Sequence, residues 1–316
     1  MVERVWRPLE RRGLASLVVL TVLVVVLTIA DSGFLSAKSV VSLLDQTAVL
    51  LLLALAQGIV ILMGRIDLAN AALASLFTVI LALLMPDLGV ASVVLILVLG
   101  VVVGATQGFI HVFFQVPSFV VTLGTLGIMS GAALILSGAS TILVEENREV
   151  LAWIYDTPLG LPMAFILAVA AAVILMAAFA ILPWGRSVRA VGLNQRAAAY
   201  SGIRTDAVVV SGFAVAGLFV ALAAIWLLGQ LGTSSPRIAN TFLLPGIAAV
   251  IVGGTSIAGG VGGPGRIVSG ALIISVLRIG LDIIHVSSAF QPILYGIVVI
   301  VAIAITVDRQ RVTTVT

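Results

Sequence analysis

The sequence contains no cysteine, only two histidines and a single lysine, Lys38. The lack of cysteine excludes disulfides and thiolate metal sites. His111 and His285 stand far apart without neighbouring acids, so we expect no metal centre and no cofactor on this chain. Charged residues make up 9% of the 316 residues, whereas soluble globular chains carry about 25%. These absences argue against a soluble domain.

The motifs of nucleotide hydrolysis and of side-chain catalysis are also missing. A phosphate-binding loop needs G-x-x-x-x-G-K-[ST], in which glycines let backbone N–H groups cradle the phosphates. Lys38 and Ser39 follow Ala37, and Gly33 stands one position too close to them. No loop gathers a Ser/His/Asp set or a pair of carboxylates. We therefore expect a chain that hydrolyses no nucleotide and is not an enzyme.

Long apolar runs fill most of the chain, which is 61% hydrophobic. The run from Leu14 to Ala30 is long enough, at about 1.5 Å per residue, to cross a hydrocarbon core of about 30 Å with little margin. The pattern predicts an all-α integral membrane protein with about ten transmembrane helices. They form a single transmembrane domain over residues 1–316, with halves of about 1–160 and 161–316. The predicted segments are 14–30, 42–63, 68–84, 92–114, 118–136, 162–182, 207–229, 242–252, 267–284 and 291–307.

The basic residues predict how these segments are oriented, because cytoplasmic loops carry an excess of arginine and lysine. If the N-terminus is cytoplasmic, only Lys38, Arg148 and Arg237 fall outside. Both termini are therefore predicted to be cytoplasmic, and the formal charge of +3 indicates orientation and not a nucleic-acid partner. The inside set is Arg4, Arg7, Arg11, Arg12, Arg65, Arg186, Arg189, Arg196, Arg204, Arg266, Arg309 and Arg311.

The longest external loop follows the fifth segment and reads STILVEENREVLAWIYDTPLG. It combines an acidic patch with a short amphipathic stretch that contains Leu151, Trp153, Ile154 and Tyr155. The loop is either a docking rim for an external partner or an interfacial helix with its aromatics at headgroup level. The acidic residues are Glu145, Glu146, Glu149 and Asp156.

The longest polar interruption with several like charges is Gly185 to Ile203, in the loop 183–206. Asn194 is a good helix N-cap, and Gly202 suits the left-handed residue that closes a helix. The residues between them are mostly helix formers. The stretch predicts a two-turn helix on a basic loop. This loop is either gripped by a partner outside the membrane or is a solvated loop that fixes topology.

Two of the ten segments are unusual: the third begins with a charged Asp67, and the eighth is too short to span. Each adjoins a glycine-containing break, MGRIDLAN (Met63 to Asn70) and VGGTSIAGG (Val252 to Gly260). Irregular backbone at membrane depth is tolerated where it lines a wet cavity, and corresponding breaks in two halves indicate a translocation site. Ordinary cytoplasmic turns are the alternative.

Polar residues inside the spans are few. Arg278 and Asp282 lie four residues apart and project from one face of the ninth helix, so we expect them to pair. They form either a polar wall of a substrate path or a structural ion pair. Gln57 is a weaker candidate of the same type.

Together these motifs resemble the membrane permease subunits of bacterial ribose-type sugar ABC importers, over essentially the whole chain. The stretch Gly185 to Ile203 is similar to the family's loop G-R-x-x-x-A-x-G-x-N-x-x-A-A-x-x-S-G-I, which inserts a coupling helix into a separate ATPase subunit. GRIDLAN (Gly64 to Asn70) and IAAVIVGGTSIAGGVG (Ile247 to Gly262) are similar to two further signatures. VPSFVVTLGTLGIMSG (Val116 to Gly131) is similar to the fifth-helix region.

The resemblance implies a function and partners. Such a subunit translocates a sugar or related small polyhydroxy solute across the bacterial inner membrane by alternating access. It pairs with a second permease, as a homodimer or a heterodimer. ATP and Mg bind to the ATPase subunit at the cytoplasmic face, and a periplasmic or extracellular sugar-binding protein delivers the solute.

The resemblance also implies site residues, to which the intramembrane candidates are added. The ATPase-coupling set is Asn194, Gln195, Arg196, Ala197, Ala198, Ser201, Gly202 and Ile203. The substrate-pathway set is Gln57, Gly64, Asp67, Asn70, Gly253, Gly254, Thr255, Ser256, Arg278 and Asp282.

The sequence departs from the family pattern at several of these positions. Arg65 stands where a second glycine is usual, and Gln195 and Arg196 stand where acids are common. Arg278 and Asp282 replace residues that are usually uncharged amides. The departures suggest pairing with a different permease. The alternative function is an ion-gradient-driven secondary transporter of a small polar solute, which Asp67 and Asp282 favour and the neighbouring Arg278 disfavours.

Overall fold

The structure is a computed structural model that describes residues 14–31, 33–283, 286–287 and 290–306. His285 and the terminal arginines lie outside the described residues. Each of the ten predicted apolar segments contains a helix. These helices are α1 (Leu14–Ala30), α2 (Ala37–Leu62), α3 (Asn70–Leu88), α4 (Val90–Phe113), α5 (Ser118–Ser137), α6 (Met163–Ile181), α9 (Thr205–Leu231), α10 (Leu243–Val252), α11 (Pro264–Ile283) and α12 (Gln291–Thr306).

Within the described ranges, six helices are long and apolar enough to cross a membrane, namely α2, α3, α4, α5, α6 and α9. This confirms the prediction of a multi-pass helical membrane protein. The tally of ten crossings, the position of the termini and the division into two halves stay predictions. The eighth segment forms the ten-residue α10, which at about 1.5 Å per residue covers about half of the hydrocarbon core.

The core is built around α2, in which every residue from Thr47 to Leu62 is buried. It is surrounded by α6, α9, α10 and α11. The interface between α4 and α9 is made by glycines: a Cβ at Gly104 would overlap the carbonyl oxygen of Phe213, and one at Gly217 would overlap that of Gly100. The spacing of Gly100, Gly104 and Gly108 thus lets α4 and α9 approach closely.

Short non-α elements cover one end of the bundle. They are the strands β1 (Ile142–Leu143) and β2 (Thr233–Ser234), which pair antiparallel, and 3-10 helices at Arg148–Tyr155, Pro158–Gly160 and Asn240–Phe242. Within the predicted external loop, Leu151 and Ile154 are buried, and Ile154 packs on Gly229. Its four acidic residues are exposed. The apolar half of this loop thus caps the bundle, while the acidic half faces outward.

Candidate functional site

The loop 183–206 folds into two short helices, α7 (Pro183–Leu193) and α8 (Gln195–Tyr200). The Asn194 side chain accepts a hydrogen bond from the backbone N–H of Ala197 at 3.0 Å, which satisfies a free donor of the first turn of α8. Gly202 has φ +82° and closes the helix, and the N–H of Ile203 donates to the carbonyl of Ala198 at 3.1 Å. The predicted two-turn helix with its two caps is confirmed.

Most of α8 projects away from the bundle. Ala198 is its one buried residue, whereas Gln195, Arg196, Ala197, Ser201 and Gly202 are exposed and Ile203 is half-buried. Two large side chains next to the loop between these helices and at the end of α8 stand out: Tyr200, the last residue of α8, is 93% exposed, and Leu193, the last residue of α7, is 61% exposed. Both were missed by the sequence reasoning, although their position beside the coupling motif was a usable signal.

The end of α7 touches both breaks through main-chain atoms. The backbone N–H of Gly260 donates to the carbonyl of Leu62 at 2.8 Å. A Cβ on Gly192 would overlap that same carbonyl oxygen and would lie 2.5 Å from the nitrogen of Gly260. A Cβ on Gly259 would lie 2.6 Å from the nitrogen of Gly64. We call Gly64, Gly192, Gly259 and Gly260 the glycine junction; it joins the loop 183–206 to both breaks without side chains.

The two breaks have the same local geometry. Gly64 has φ +72° and donates to the carbonyl of Ile61, and Arg65 donates to that of Val60. Gly254 has φ +90° and donates to the carbonyl of Ile251, and Thr255 donates to that of Val250. Both are Schellman motifs, in which a left-handed glycine lets two amides cap the last helical carbonyls. The prediction that the breaks are related therefore holds for their backbone.

Side chains hold the first break in place. The amide of Ile66 donates to Ser118 Oγ at 3.3 Å, and the amide of Leu68 donates to Thr122 Oγ1 at 3.1 Å. Asp67 is buried, and its Oδ1 accepts a hydrogen bond from the amide of Ala69 at 2.8 Å. Burial is the main cause that raises the pKa of Asp67 to about 6, and the hydrogen bond from Ala69 opposes it.

Arg65 is a buried cation with three partners. Its Nε donates to His111 Nε2 at 2.7 Å, its Nη1 to the carbonyl of Met63 at 2.7 Å, and its Nη2 to Gln195 Oε1 at 2.9 Å. Desolvation lowers the pKa of Arg65, and the charge of Asp206 opposes that shift. Two departures from the family pattern, Arg65 and Gln195, are therefore bonded to each other. They are 130 positions apart in the chain, so the sequence alone gives no sign that they meet.

The second break packs against α11. A Cβ on Gly253 would overlap the carbonyl oxygen of Arg266, whose Nη1 donates to the carbonyl of Gly254 at 2.9 Å. Thr255 is fully buried, and its Oγ1 has no hydrogen-bond partner among the described residues. Ser256 is half-buried and accepts, through Oγ, the amide of Ala258.

A pair of amides lies deep in the bundle beside a small cavity. Asn70 Nδ2 donates to Gln57 Oε1 at 2.6 Å, and both side chains are buried. Gln57 Nε2 and Asn70 Oδ1 have no partner within the described part of the chain. The cavity of about 10 Å³ is lined by both amides and by Phe242. Asn70 is the first residue of α3, immediately after the first break, so the backbone of the break positions this amide.

The expected pairing of Arg278 with Asp282 is not seen, and each side chain has a different partner. Arg278 lies over the ring of Phe242, with its Cζ 5.3 Å from the ring centroid. Asp282 is exposed and accepts a hydrogen bond from Gln291 Nε2 at 2.9 Å. The spacing was read within one helix, whereas the competing partners come from the 3-10 turn before α10 and from α12. The predicted pathway residues thus form separate groups, and Phe242 links Arg278 to the amide pair.

Comparison with known proteins assigns this arrangement to a family. The profile described as "Branched-chain amino acid transport system / permease component" matches residues 39–303. The ribose import permease RbsC of Bacillus subtilis (strain 168) is 33% identical over 300 residues, which cover 92% of this chain and 91% of that protein. The probable ABC transporter permease YphD of Escherichia coli K12 is 32% identical, covering 91% and 87%.

A third relative, the D-allose transport system permease AlsC of Escherichia coli K12, is 28% identical and covers 88% of this chain and 86% of its own length. No solved structure matches the chain. The chain belongs to the family of ABC-importer permease components. It is the membrane-embedded transport subunit and not an enzyme. This confirms the resemblance inferred from the motifs and supports the importer over the secondary transporter.

Proposed function

We propose that this permease subunit imports a sugar or a related small polyhydroxy solute. The observation that carries the proposal is the amide pair of Gln57 and Asn70, whose free Nε2 and Oδ1 atoms border the cavity. A neutral, hydroxyl-rich solute needs donors and acceptors without charge. An amino acid would bring a carboxylate and an ammonium, and neither amide compensates a charge. The relatives named for ribose and D-allose agree with this choice.

The proposed transport mechanism uses a series of contacts that runs from α8 to the amide pair. An ATPase that binds ATP and Mg pulls or releases α8, and the glycine junction passes this displacement to the ends of both breaks. Asn70 directly follows the first break, so the distance between Asn70 and Gln57 changes with it. The amide pair then alternates between opposite faces of the membrane. In this scheme the predicted pathway glycines Gly64, Gly253 and Gly254 act as backbone joints.

The partners follow the same layout. We assign the arginine-rich face with α7 and α8 to the cytoplasm of a bacterial cell, with both termini on that side of the inner membrane. The exposed acids of the external loop would meet a sugar-binding protein. A second permease, identical or different, would cover α5: a Cβ on Gly124, Gly127 or Gly131 would meet nothing within 4 Å, so this largely exposed helix can be approached closely.

The test is co-purification of the ATPase subunit with wild type and with Tyr200→Ala. The Tyr200 side chain is 93% exposed, so its loss should leave folding intact while removing an aromatic anchor from the docking surface. We expect an ATPase to co-purify with wild type and its retention to fall at least tenfold in the variant, which corresponds to about 1.4 kcal/mol. Tyr155→Ala, on the opposite face, is the matched control and should retain the ATPase.

Solute class is tested on the same complex, with ATPase activity assayed in the presence of candidate sugars and the binding protein. Stimulation by one sugar supports the proposal. Stimulation only by branched-chain amino acids would reject the sugar assignment while leaving the importer intact.

Equal ATPase retention by Tyr200→Ala and wild type would reject α8 as the docking element. Substitution at Gly202 is a poorer test, because its φ of +82° strains any other residue.

A further inference from the structure

A second, larger cleft opens on the arginine-rich face, away from the amide pair. It has a volume of about 540 Å³ and lies between α1, the end of α6, α7 and the start of α11. Leu17, Met176 and Phe179 form its apolar walls, and Arg189 and Arg266 line it with guanidinium groups. We call it the arginine cleft. No acidic residue lines it within the described part of the chain, so its two positive charges are not neutralised locally.

Both arginines are held in place and keep donors available. The Arg189 guanidinium stacks over Phe179, with its Cζ 5.5 Å from the ring centroid, and its buried Nε has no hydrogen-bond partner among the described residues. Arg266 uses Nη1 for the carbonyl of Gly254. A Cβ on Gly263 would approach Arg189 Nη2 to 3.3 Å, so the glycine keeps the floor of the cleft low beneath the guanidinium. An unpartnered buried guanidinium nitrogen is costly unless an acceptor reaches it.

The surroundings select the kind of acceptor. Paired guanidinium groups match the oxygens of a phosphate, to which arginine binds in a fork. Leu17 is half exposed at the mouth of the cleft, and Met176 and Ala180 of α6 are also accessible along its apolar lining. A free anion would gain nothing from these apolar walls. A phospholipid places its phosphate among the arginines and its acyl chains on the apolar surface.

We propose that the arginine cleft binds the headgroup of an anionic phospholipid from the leaflet on the arginine-rich face. The bound phosphate accepts from the terminal Nη atoms of Arg189 and from the remaining donors of Arg266, and it neutralises the cleft. Since Arg266 also holds the carbonyl of Gly254, the lipid stabilises the second break from the membrane side. The proposal requires only that the chain is embedded in a membrane and is independent of the transported solute.

The test measures thermal unfolding of the delipidated full chain in detergent, with intrinsic tryptophan fluorescence as the signal. Phosphatidylglycerol, phosphatidylcholine with the same acyl chains and inorganic phosphate are added separately. We expect phosphatidylglycerol alone to raise Tm, by about 3 °C at saturation. Arg189→Gln should weaken the apparent affinity for phosphatidylglycerol about fivefold. Arg186→Gln, an exposed arginine on the same helix, is the matched control and should respond as wild type does.

Native mass spectrometry gives a second readout that does not depend on the stability of the variant. Wild type purified from membranes should retain phosphatidylglycerol, and Arg189→Gln should lose it. An equal rise in Tm with phosphatidylcholine would overturn the proposal, as would stabilisation by inorganic phosphate without lipid. An Arg189→Gln variant that retains as much phosphatidylglycerol as wild type would overturn it too.

Discussion

At the scale of single residues, Arg65 shows how a buried charge can be accommodated without a carboxylate in contact. It donates to His111 Nε2, so this nitrogen carries no proton, and Nδ1 carries the proton that points to the carbonyl of Val116 at 2.6 Å. The imidazole is therefore neutral where it meets the guanidinium. Arg65 thus ties the first break to the end of α4 and to the first residue of α8.

Replacing Arg65 with methionine should lower Tm and reduce solute-stimulated ATPase activity more than basal activity. The change removes the three hydrogen bonds that Arg65 donates to His111, Met63 and Gln195. We expect the free energy of unfolding to fall by about 2 kcal/mol. Gln195→Ala should couple to it: the loss of stability on changing Arg65 should be smaller by about 1 kcal/mol when Gln195 is already absent. Arg196→Met, on the exposed side of α8, is the control and should be near neutral.

Thermal unfolding of all four combinations of Arg65 and Gln195 measures the coupling, and ATPase assays of the reconstituted complex measure the activity ratio. Strict additivity of the two substitutions would contradict the bond between them.

Asp67 predicts a pH dependence of stability. Its pKa of about 6 in the folded chain exceeds the ordinary value of 3.8, so the folded state holds this proton more tightly than the unfolded state does. The stabilisation is complete below about pH 4 and is lost as the pH rises to about 6, by about 2 to 3 kcal/mol. Asp67→Asn keeps the acceptor for Ala69 and should remove this decline.

The measurement compares Tm at pH 4.5 and pH 7.5 for wild type and Asp67→Asn in the same detergent. Asp87→Asn, at the exposed end of α3, is the control and should not flatten the profile. A wild-type profile that matches that of Asp67→Asn would contradict the buried, protonated carboxyl.

At the scale of elements, helix ends carry the architecture of this site. The helices α2, α8 and α10 all end in Schellman motifs, at Gly64, Gly202 and Gly254. The end of α2, the end of α7 and the irregular segment after α10 meet at the glycine junction. Contacts between main-chain atoms leave no rotamer freedom, so we expect a displacement of one helix end to be passed directly to the others.

Gly192→Ala should destabilise the chain by about 1 to 3 kcal/mol, because its Cβ would force apart the carbonyl of Leu62 and the nitrogen of Gly260. Gly296→Ala is a matched control, since it also lies within a helix and its Cβ would meet nothing within 4 Å. Alanine is the better helix former at both sites, so the control should be neutral or stabilising. The measurement is thermal unfolding of both variants. A Tm of Gly192→Ala equal to that of Gly296→Ala would show that the junction tolerates a side chain.

At the scale of the whole molecule, the sequence predicted what depends on local pattern. Apolar length located the ten helices, and Asn194 and Gly202 located α8, because capping acts within a few residues. The bounds were less accurate: α2 begins at Ala37 and not at residue 42, since Ser36 caps it. What could not be predicted is which distant residues meet. Arg65 and Gln195 are hydrogen-bonded although they are 130 positions apart. Asp282 accepts a hydrogen bond from a residue of α12 and does not pair with Arg278, which lies one turn away on its own helix.

The glycine junction also bears on how this subunit can acquire a new ATPase partner. It fixes the end of α7, directly before α8, through backbone atoms, whereas Arg196, Ala199 and Tyr200 of α8 are exposed. Those outer side chains can be exchanged without altering how the helix is carried. Under the proposed mechanism, specificity for the ATPase and transmission of its movement would therefore be separable properties of this chain, the first residing in three exposed side chains and the second in four glycines that carry none.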